Sequence, residues 1–427
     1  MNFKISIILI YILFLNVNVY SQIEHIQVSH PVYSLLVHFE NLGLLPHKSL
    51  SNLPLQRKEI IECLILVREN DKNLSQNLIL TLEKYEIEFG IKKANNKVFF
   101  ASNSDSNQVL FLGLLSDDEK YIYHNKDDNN EISLKPLAKL DFRTENNNNQ
   151  FQYVSLAQFG FRLNGTIENQ VGYYLQATNG TILSGNRNIA LEDIQLSQNI
   201  KLVDLNSDFD FTESHIRYDS KWFYAGIGRE TRLIGSGMNQ RLFVSNSSPA
   251  SDAFMLGAKF SNFEYRFTHF SLLAIPDSNS IVGAGTHIPA KYIAMHRASF
   301  RPNWGEISYW EAITYTNRSI DIAYLNPLTF MKSLEHALRD RDNSMMGMDI
   351  TIRPIIGLQI KGSYILDDII FRNIGTGFWS NKAAMNIAAI YSTPWSLDFG
   401  VEYSRIEPYT FSHFNYQNSY TNIITQF

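Results

Sequence analysis

From about Leu137 onward, apolar and polar residues alternate with a period of two. Phe159, Phe161 and Leu163 alternate with Gly160, Arg162 and Asn164; Phe263, Tyr265 and Phe267 with Glu264, Arg266 and Thr268; Leu397, Phe399, Val401 and Tyr403 with Asp398, Gly400, Glu402 and Ser404. Successive side chains take opposite faces only in an extended strand, so this stretch is read as a series of strands with one apolar and one polar face. A soluble sandwich alternates as well. Two features favour a membrane wall. Many segments run about 9–11 residues, the length of a tilted membrane-spanning strand, whereas globular strands average about five or six. The apolar faces also end in Tyr, Trp and Phe, as interface girdles do. Roughly 14 candidate strands can be counted, in the range used by outer-membrane barrels. Short connectors such as Ser261-Asn262 and Pro354-Ile355 suit one rim, and long ones at 180–206, 231–252 and 271–289 suit the other.

The start of the chain is different. Lys4, the apolar run Ile5 to Leu15 and Val19-Tyr20-Ser21 have the layout of a secretory signal peptide, with cleavage after Ser21. A membrane anchor is the alternative; the short run, broken by Asn16 and Asn18, argues against it. Residues 30 to 90 read as three helices. The first carries Val32, Leu35, Leu36 and Phe39 and stops at Gly43; the second opens at Leu53-Pro54; the third is capped by Ser75 and stops at Gly90. The expected domains are therefore a signal peptide at 1–21, a periplasmic helical module and transition at 22–125, and a barrel at 126–427. The transition contains short strand-like runs at Val98 to Phe100 and Val109 to Leu115. A formal charge of −5 gives no footing for nucleic acid. The single cysteine, Cys63, rules out an intrachain disulfide and reads as packing.

The longest break in the alternation runs from Tyr324 to Gly347. After Asn326-Pro327, Phe330, Leu334 and Leu338 recur at helical spacing, followed by Arg339-Asp340-Arg341-Asp342-Asn343. A charged, partly helical insert between strands needs water or a polar cavity, so residues 326–343 are expected to line or plug the inside of the barrel. Glu335, His336, Arg339, Asp340, Arg341, Asp342 and Asn343 are candidates for binding sugar hydroxyls or acidic sugars, or for pairing with each other and the wall. Glu311 falls on the apolar face of its strand, beside Ile307, Tyr309 and Ile313; either a bulge turns it into the lumen or protein covers that face. Arg229 and Glu230, close to Gly235-Ser236-Gly237, lack the strand–helix setting of a phosphate loop and read best as a strand-end ion pair at the rim. The histidines have no paired ligand spacing, so no metal and no cofactor is expected. No nucleophile-elbow pattern occurs, and the chain is read as non-enzymatic.

Several of these stretches resemble the Wzi-like capsule assembly proteins, in the version found in Bacteroidetes-type bacteria. The residues are His30-Pro31-Val32-Tyr33 with Gly43-Leu44-Leu45, Pro54 to Ile60, Gly228-Arg229-Glu230 with Gly235-Ser236-Gly237, Glu311 to Tyr315, and above all Asn326-Pro327 through Glu335-His336 to Asn343. The resemblance implies an all-β transmembrane antiparallel β-barrel of roughly 14–18 strands with a small N-terminal α-helical module. It implies an outer-membrane location and a role in surface attachment, assembly or export of capsular or exopolysaccharide, with outer-membrane lipid and export machinery as further partners. A general diffusion porin is the alternative, and a barrel-wall lipid hydrolase a more distant one. The terminal Phe427 suits a barrel-assembly signal.

Overall fold

The computed structural model describes residues 22–420 apart from 49, 71–73, 93–97, 100–119, 148–149, 206, 275–280, 283–284, 287–288, 340, 369–370, 374–375 and 377–380. The expected signal peptide, Val109 to Leu115, Asp340 and Phe427 lie outside the described residues.

Fourteen strands form one antiparallel sheet, each paired with the next along the chain. They are β1 (Tyr123–Lys126), β2 (Glu131–Asn147), β3 (Gln150–Ile167), β4 (Val171–Gly185), β5 (Asp208–Asp219), β6 (Phe223–Glu230) and β7 (Ser251–Phe260). There follow β8 (Phe263–Leu273), β9 (Ala290–Phe300), β10 (Gly305–Thr316), β11 (Asn343–Ile355), β12 (Leu358–Asp368), β13 (Lys382–Ser392) and β14 (Asp398–Ile406). The two ends of the sheet, β2 through Lys139 and Asp141 and β14 through Ser404 and Ile406, line one cavity, so the sheet curls round into a barrel wall. Among the described residues β1 and β14 are not hydrogen-bonded to each other.

Burial across this wall is the reverse of a soluble protein's. The convex side presents apolar side chains, with Leu140 at 78%, Phe159 at 62% and Ile227 at 64% exposed, while Asn164, Arg217, Asp349 and Asn386 are buried on the concave side. Backbone groups in hydrocarbon must be paired within the protein, and the antiparallel ladder does this between every two neighbouring strands of the wall. Apolar-out, polar-in alternation then matches lipid outside and a polar lumen within. At the short-turn rim, exposed Trp222, Phe260, Phe263, Phe300, Trp304 and Trp395 form an aromatic belt, with Trp222 and Phe260 stacked at 6.1 Å. No described helix is long and apolar enough to cross a membrane. The chain is an outer-membrane β-barrel.

Among the described residues three helices precede the wall: α1 (Val32–Asn41), α2 (Arg57–Glu69) and α3 (Gln76–Glu88). They enclose a core of Val32, Leu36, Phe39, Ile60, Leu64 and Leu82. The stops at Gly43 and Gly90 are as read from the sequence, both with φ at +75°. The Ser75 cap also forms, accepting from the Leu78 N–H. The second helix starts later than Pro54. Gln56 and Glu59 make a capping box that starts it at Arg57, because the two residues before Pro54 are taken into a small strand, Asn52–Leu53, paired with Leu233–Ile234. Val98–Phe99 pairs parallel to Lys120–Tyr121. The Pro354-Ile355 turn is displaced: β11 runs on to Ile355 and the chain reverses at Gly357, whose φ of +91° suits glycine.

Candidate functional site

The helical module closes the short-turn end of the barrel. Its polar residues bond to the wall almost all the way round. Gln22 donates to Glu131 on β2, and the Ile23 N–H donates to Thr166 on β3 at 3.0 Å. Gln27 reaches Glu213 on β5 at 2.7 Å, and Glu59 pairs with Lys259 on β7 at 3.0 Å. His47 meets Glu306 on β10 at 3.3 Å, Asn41 donates to Ser392 on β13 at 2.8 Å, and His38 meets Asp398 on β14 at 2.7 Å. Cys63 lies inside the module, where burial pushes its thiol up to about 12, away from reactivity.

A second obstruction lies deeper. The chain between β6 and β7, residues 231–250, folds into the lumen instead of outward. Gly235, with φ at +125°, and Gly237, where a Cβ would meet the Gln240 carbonyl at 1.8 Å, allow the tight path. The Ser236 N–H donates to Asp349 and Ser363, and the Ser236 hydroxyl donates to the Ile350 carbonyl at 2.9 Å. The N–H groups of Met238 and Asn239 grip the Glu402 carboxylate of β14 at 2.8 and 2.9 Å. The Phe243 ring packs at a tilt against Trp310 of β10, with centroids 4.3 Å apart. The Gly-Ser-Gly turn is thus a wall anchor. The segment after β14 crosses back over the lumen: Lys291 donates to the Ser419 carbonyl at 2.7 Å, and Tyr420 donates to the Phe243 carbonyl.

Between these parts and the mouths of β2 to β8 remains a cavity of about 1340 Å³. Amides and hydroxyls line much of it, including Gln158, Gln195, Gln240, Thr178, Ser245 and Ser248. Phe211, Phe243, Phe270 and Tyr420 add aromatic surface. Its charges come as partners: Arg143 bonds Asp141 at 2.7 Å and Asp193 at 3.0 Å, Lys201 pairs with Asp210 at 3.4 Å, and Arg229 with Asp252 at 2.9 Å. Amides and hydroxyls both donate and accept, so such a lining can bind a polyhydroxylated chain.

The site residues named from the sequence divide unequally. Arg229 lines the cavity in a strand-end ion pair, but its partner is Asp252 of β7 and not the neighbouring Glu230, which is buried against Arg232 and His25. The insert does not enter the lumen, which corrects the inward reading of 326–343. Residues 317–339, with a helix α4 at Met331–Ala337, lie on the outer side of the wall over β8, β9 and β10. Met331 and Tyr324 pack on Phe267, Ala294, Ile313 and Tyr315, all on the convex side. Glu311 stays on that side too: it accepts from the Met331 N–H at 3.1 Å and meets His296 at 3.3 Å, so the covering is by protein and no bulge turns it inward. Ile322, at 82%, and Leu328, at 85% exposed, now supply the apolar outer surface. The physical reason is composition. The strand faces beneath carry Tyr265, His269, His296 and Glu311, which lipid would not tolerate, and the insert has polar groups to meet them and apolar ones to turn outward. Glu335 bonds Lys332 at 2.7 Å and accepts from Ser344; Asp342 holds Arg318 at 2.6 Å and Arg341 at 3.4 Å. Asn343 donates to the Asn418 carbonyl at 3.2 Å. His336 and Arg339 are exposed on the insert. Glu335 and Asp342 thus tie the insert to the start of β11 and to its own chain, Asn343 ties β11 to the segment after β14, and none of them lines the cavity.

Sequence spacing also missed a buried cluster. His25, His215 and Glu230 come within 4.8 Å of one another although their positions are far apart in the chain. His25 Nδ1 lies 2.9 Å from Glu230, and the His25 N–H donates to His215 Nε2 at 3.0 Å. Arg232 pairs with Glu230 at 2.7 Å and Arg217 stands 3.3 Å from His25. Arg232 already compensates the carboxylate, and the two guanidinium groups beside the histidines would repel a cation. The arrangement pins the N-terminal segment in the lumen.

No family model matches the chain, and no curated protein matches it. Among solved structures, it is similar to a Salmonella typhi OmpF complex with daunomycin, at 11% identity and a TM-score of 0.30, over 70% of this chain and 96% of that one. It is also similar to OmpT, an outer membrane protein of Vibrio cholerae, at 11% identity and 0.27, over 69% and 92%. Acinetobacter baumannii OccAB1 follows at 10% and 0.22, over 66% and 91%. The fold assignment rests on the wall's own hydrogen bonds and burial, not on these likenesses.

Proposed function

We propose that this outer-membrane barrel serves the surface attachment or assembly of capsular or exopolysaccharide, in the manner of the Wzi-like proteins its sequence resembles. The observation that carries the proposal is the blind cavity: a chamber in which amides and hydroxyls are set among apolar and aromatic surface, with its floor shut by the helical module and the 231–250 chain. Such a chamber suits holding a polymer and does not suit free diffusion. Deleting the gene and measuring cell-bound against shed polysaccharide tests it; the bound fraction should fall, and an unchanged ratio rejects the proposal. The porin reading keeps the fold in its favour. Purified protein in planar bilayers separates the two, since large steady open channels would support the porin. A barrel-wall hydrolase draws no support from His269 and His296, whose neighbours at bonding distance are Tyr315 and Glu311 and not serines.

A further inference from the structure

We infer that the polymer held in this cavity is a neutral glycan, recognised through its hydroxyls and sugar faces and not through carboxylate or phosphate groups. This rests on the polysaccharide reading above and narrows it. A site for an acidic sugar needs cations free to face the ligand, best as a bidentate guanidinium fork, and a surrounding field of one sign. The cavity has neither. Its cations are Lys139, Arg143, Lys201, Arg229 and Arg241; its anions are Asp141, Asp193, Asp210, Glu213 and Asp252. They balance in number and are engaged locally. Arg143 bridges Asp141 and Asp193, Lys139 lies 3.5 Å from Asp141, and Lys201 and Arg229 have the partners given above. Arg241 donates to the Gly235 carbonyl at 3.2 Å, and Glu213 accepts from the Thr231 hydroxyl at 2.6 Å. Among the described lining cations only Arg241 lacks a carboxylate partner, and backbone carbonyls hold its guanidinium, so an incoming carboxylate would lose water for little gain while each resident carboxylate would repel it.

What the cavity offers is suited to uncharged sugars. Amide and hydroxyl side chains donate and accept at once, as vicinal hydroxyls require. Phe211, Phe243 and Phe270 provide apolar surface for the C–H faces of sugar rings, the combination of aromatic lining and a few polar groups common to small-molecule sites.

The test is calorimetric titration of the purified full chain, in detergent, with oligosaccharides of a neutral glucan and of polygalacturonate at low and high salt. Neutral oligosaccharides should bind with an affinity that salt changes by less than about twofold, and the acidic series should bind at least about tenfold more weakly. The exposed variant Gln195→Trp, which narrows the cavity, should weaken neutral binding several-fold. The paired variant Asp210→Asn with Asp252→Asn, both at exposed positions, should free Lys201 and Arg229 and admit the acidic series in a salt-sensitive way. Tight, salt-sensitive binding of the acidic series to the unaltered protein overturns the neutral-glycan inference and leaves the polysaccharide reading standing. Binding of neither series overturns both, and binding unaffected by Gln195→Trp removes the cavity as its seat.

Discussion

His47 shows how single residues fix the module in the barrel. It is buried between Glu40 of its own module and Glu306 of β10. Burial opposes its charge, but the bonds to Glu306 and Glu40 outweigh that and hold the imidazole up at about 9. The folded state therefore favours the protonated form. The stabilisation is fully present below the ordinary histidine range and is lost as pH rises through about 9, a contribution on the order of 3 kcal/mol. Between pH 7 and 10 the module should become more sensitive to protease, whereas His47→Gln should already show that sensitivity at pH 7 and change little. A pH-independent wild type would remove this anchor. Gly347 is a second residue-scale constraint: a Cβ there would lie 2.3 Å from the Trp310 ring. Gly347→Ala should destabilise the barrel by about 1–3 kcal/mol through overpacking, read as a lower temperature for its heat-induced shift on a gel.

Two elements do what the alternation of the wall cannot. The 231–250 chain is latched to β14 by Glu402, and charge-assisted bonds of this kind contribute about 1.5–3 kcal/mol each. Glu402→Ala should loosen the latch and raise single-channel conductance in planar bilayers; conductance identical to wild type would mean the chain stays seated without it. The outer insert depends on Glu311 in the same way. Glu311→Ala leaves the Met331 N–H and His296 without their acceptor, at a cost of about 1–3 kcal/mol. Trypsin in detergent should then cut after Arg339 or Arg341 faster than in wild type. Equal rates would show that the apolar packing of Tyr324 and Met331 suffices.

At the scale of the whole molecule the barrel is a cup. The module and the inward chain fill one half, and the cavity occupies the half toward the long connectors. Wild-type protein should therefore give no large steady channel in bilayers, while still fractionating with the outer membrane and migrating in a heat-dependent manner. Steady conductance of porin size would show that the floor is not shut.

The alternation of Phe159 to Asn164, or of Leu397 to Ser404, determined two-faced strands by itself, because period two leaves each face one chemistry; strand length and the aromatic ends of the apolar faces then pointed to a wall in lipid. Gly43, Gly90 and Ser75 likewise marked helix ends through local backbone needs that no distant contact alters. Tertiary structure alone decided which side of the wall each connector would take. A charged insert at 317–342 and a Gly-Ser-Gly chain at 231–250 look equally able to enter a lumen, and the outcome turned on Glu311, His296 and His269 lying on the convex face, where they required a cover. The meeting of His25 with His215 and Glu230, and the pairing of charges round the cavity, arise from strands brought together by curling. No spacing along the chain encodes that distance.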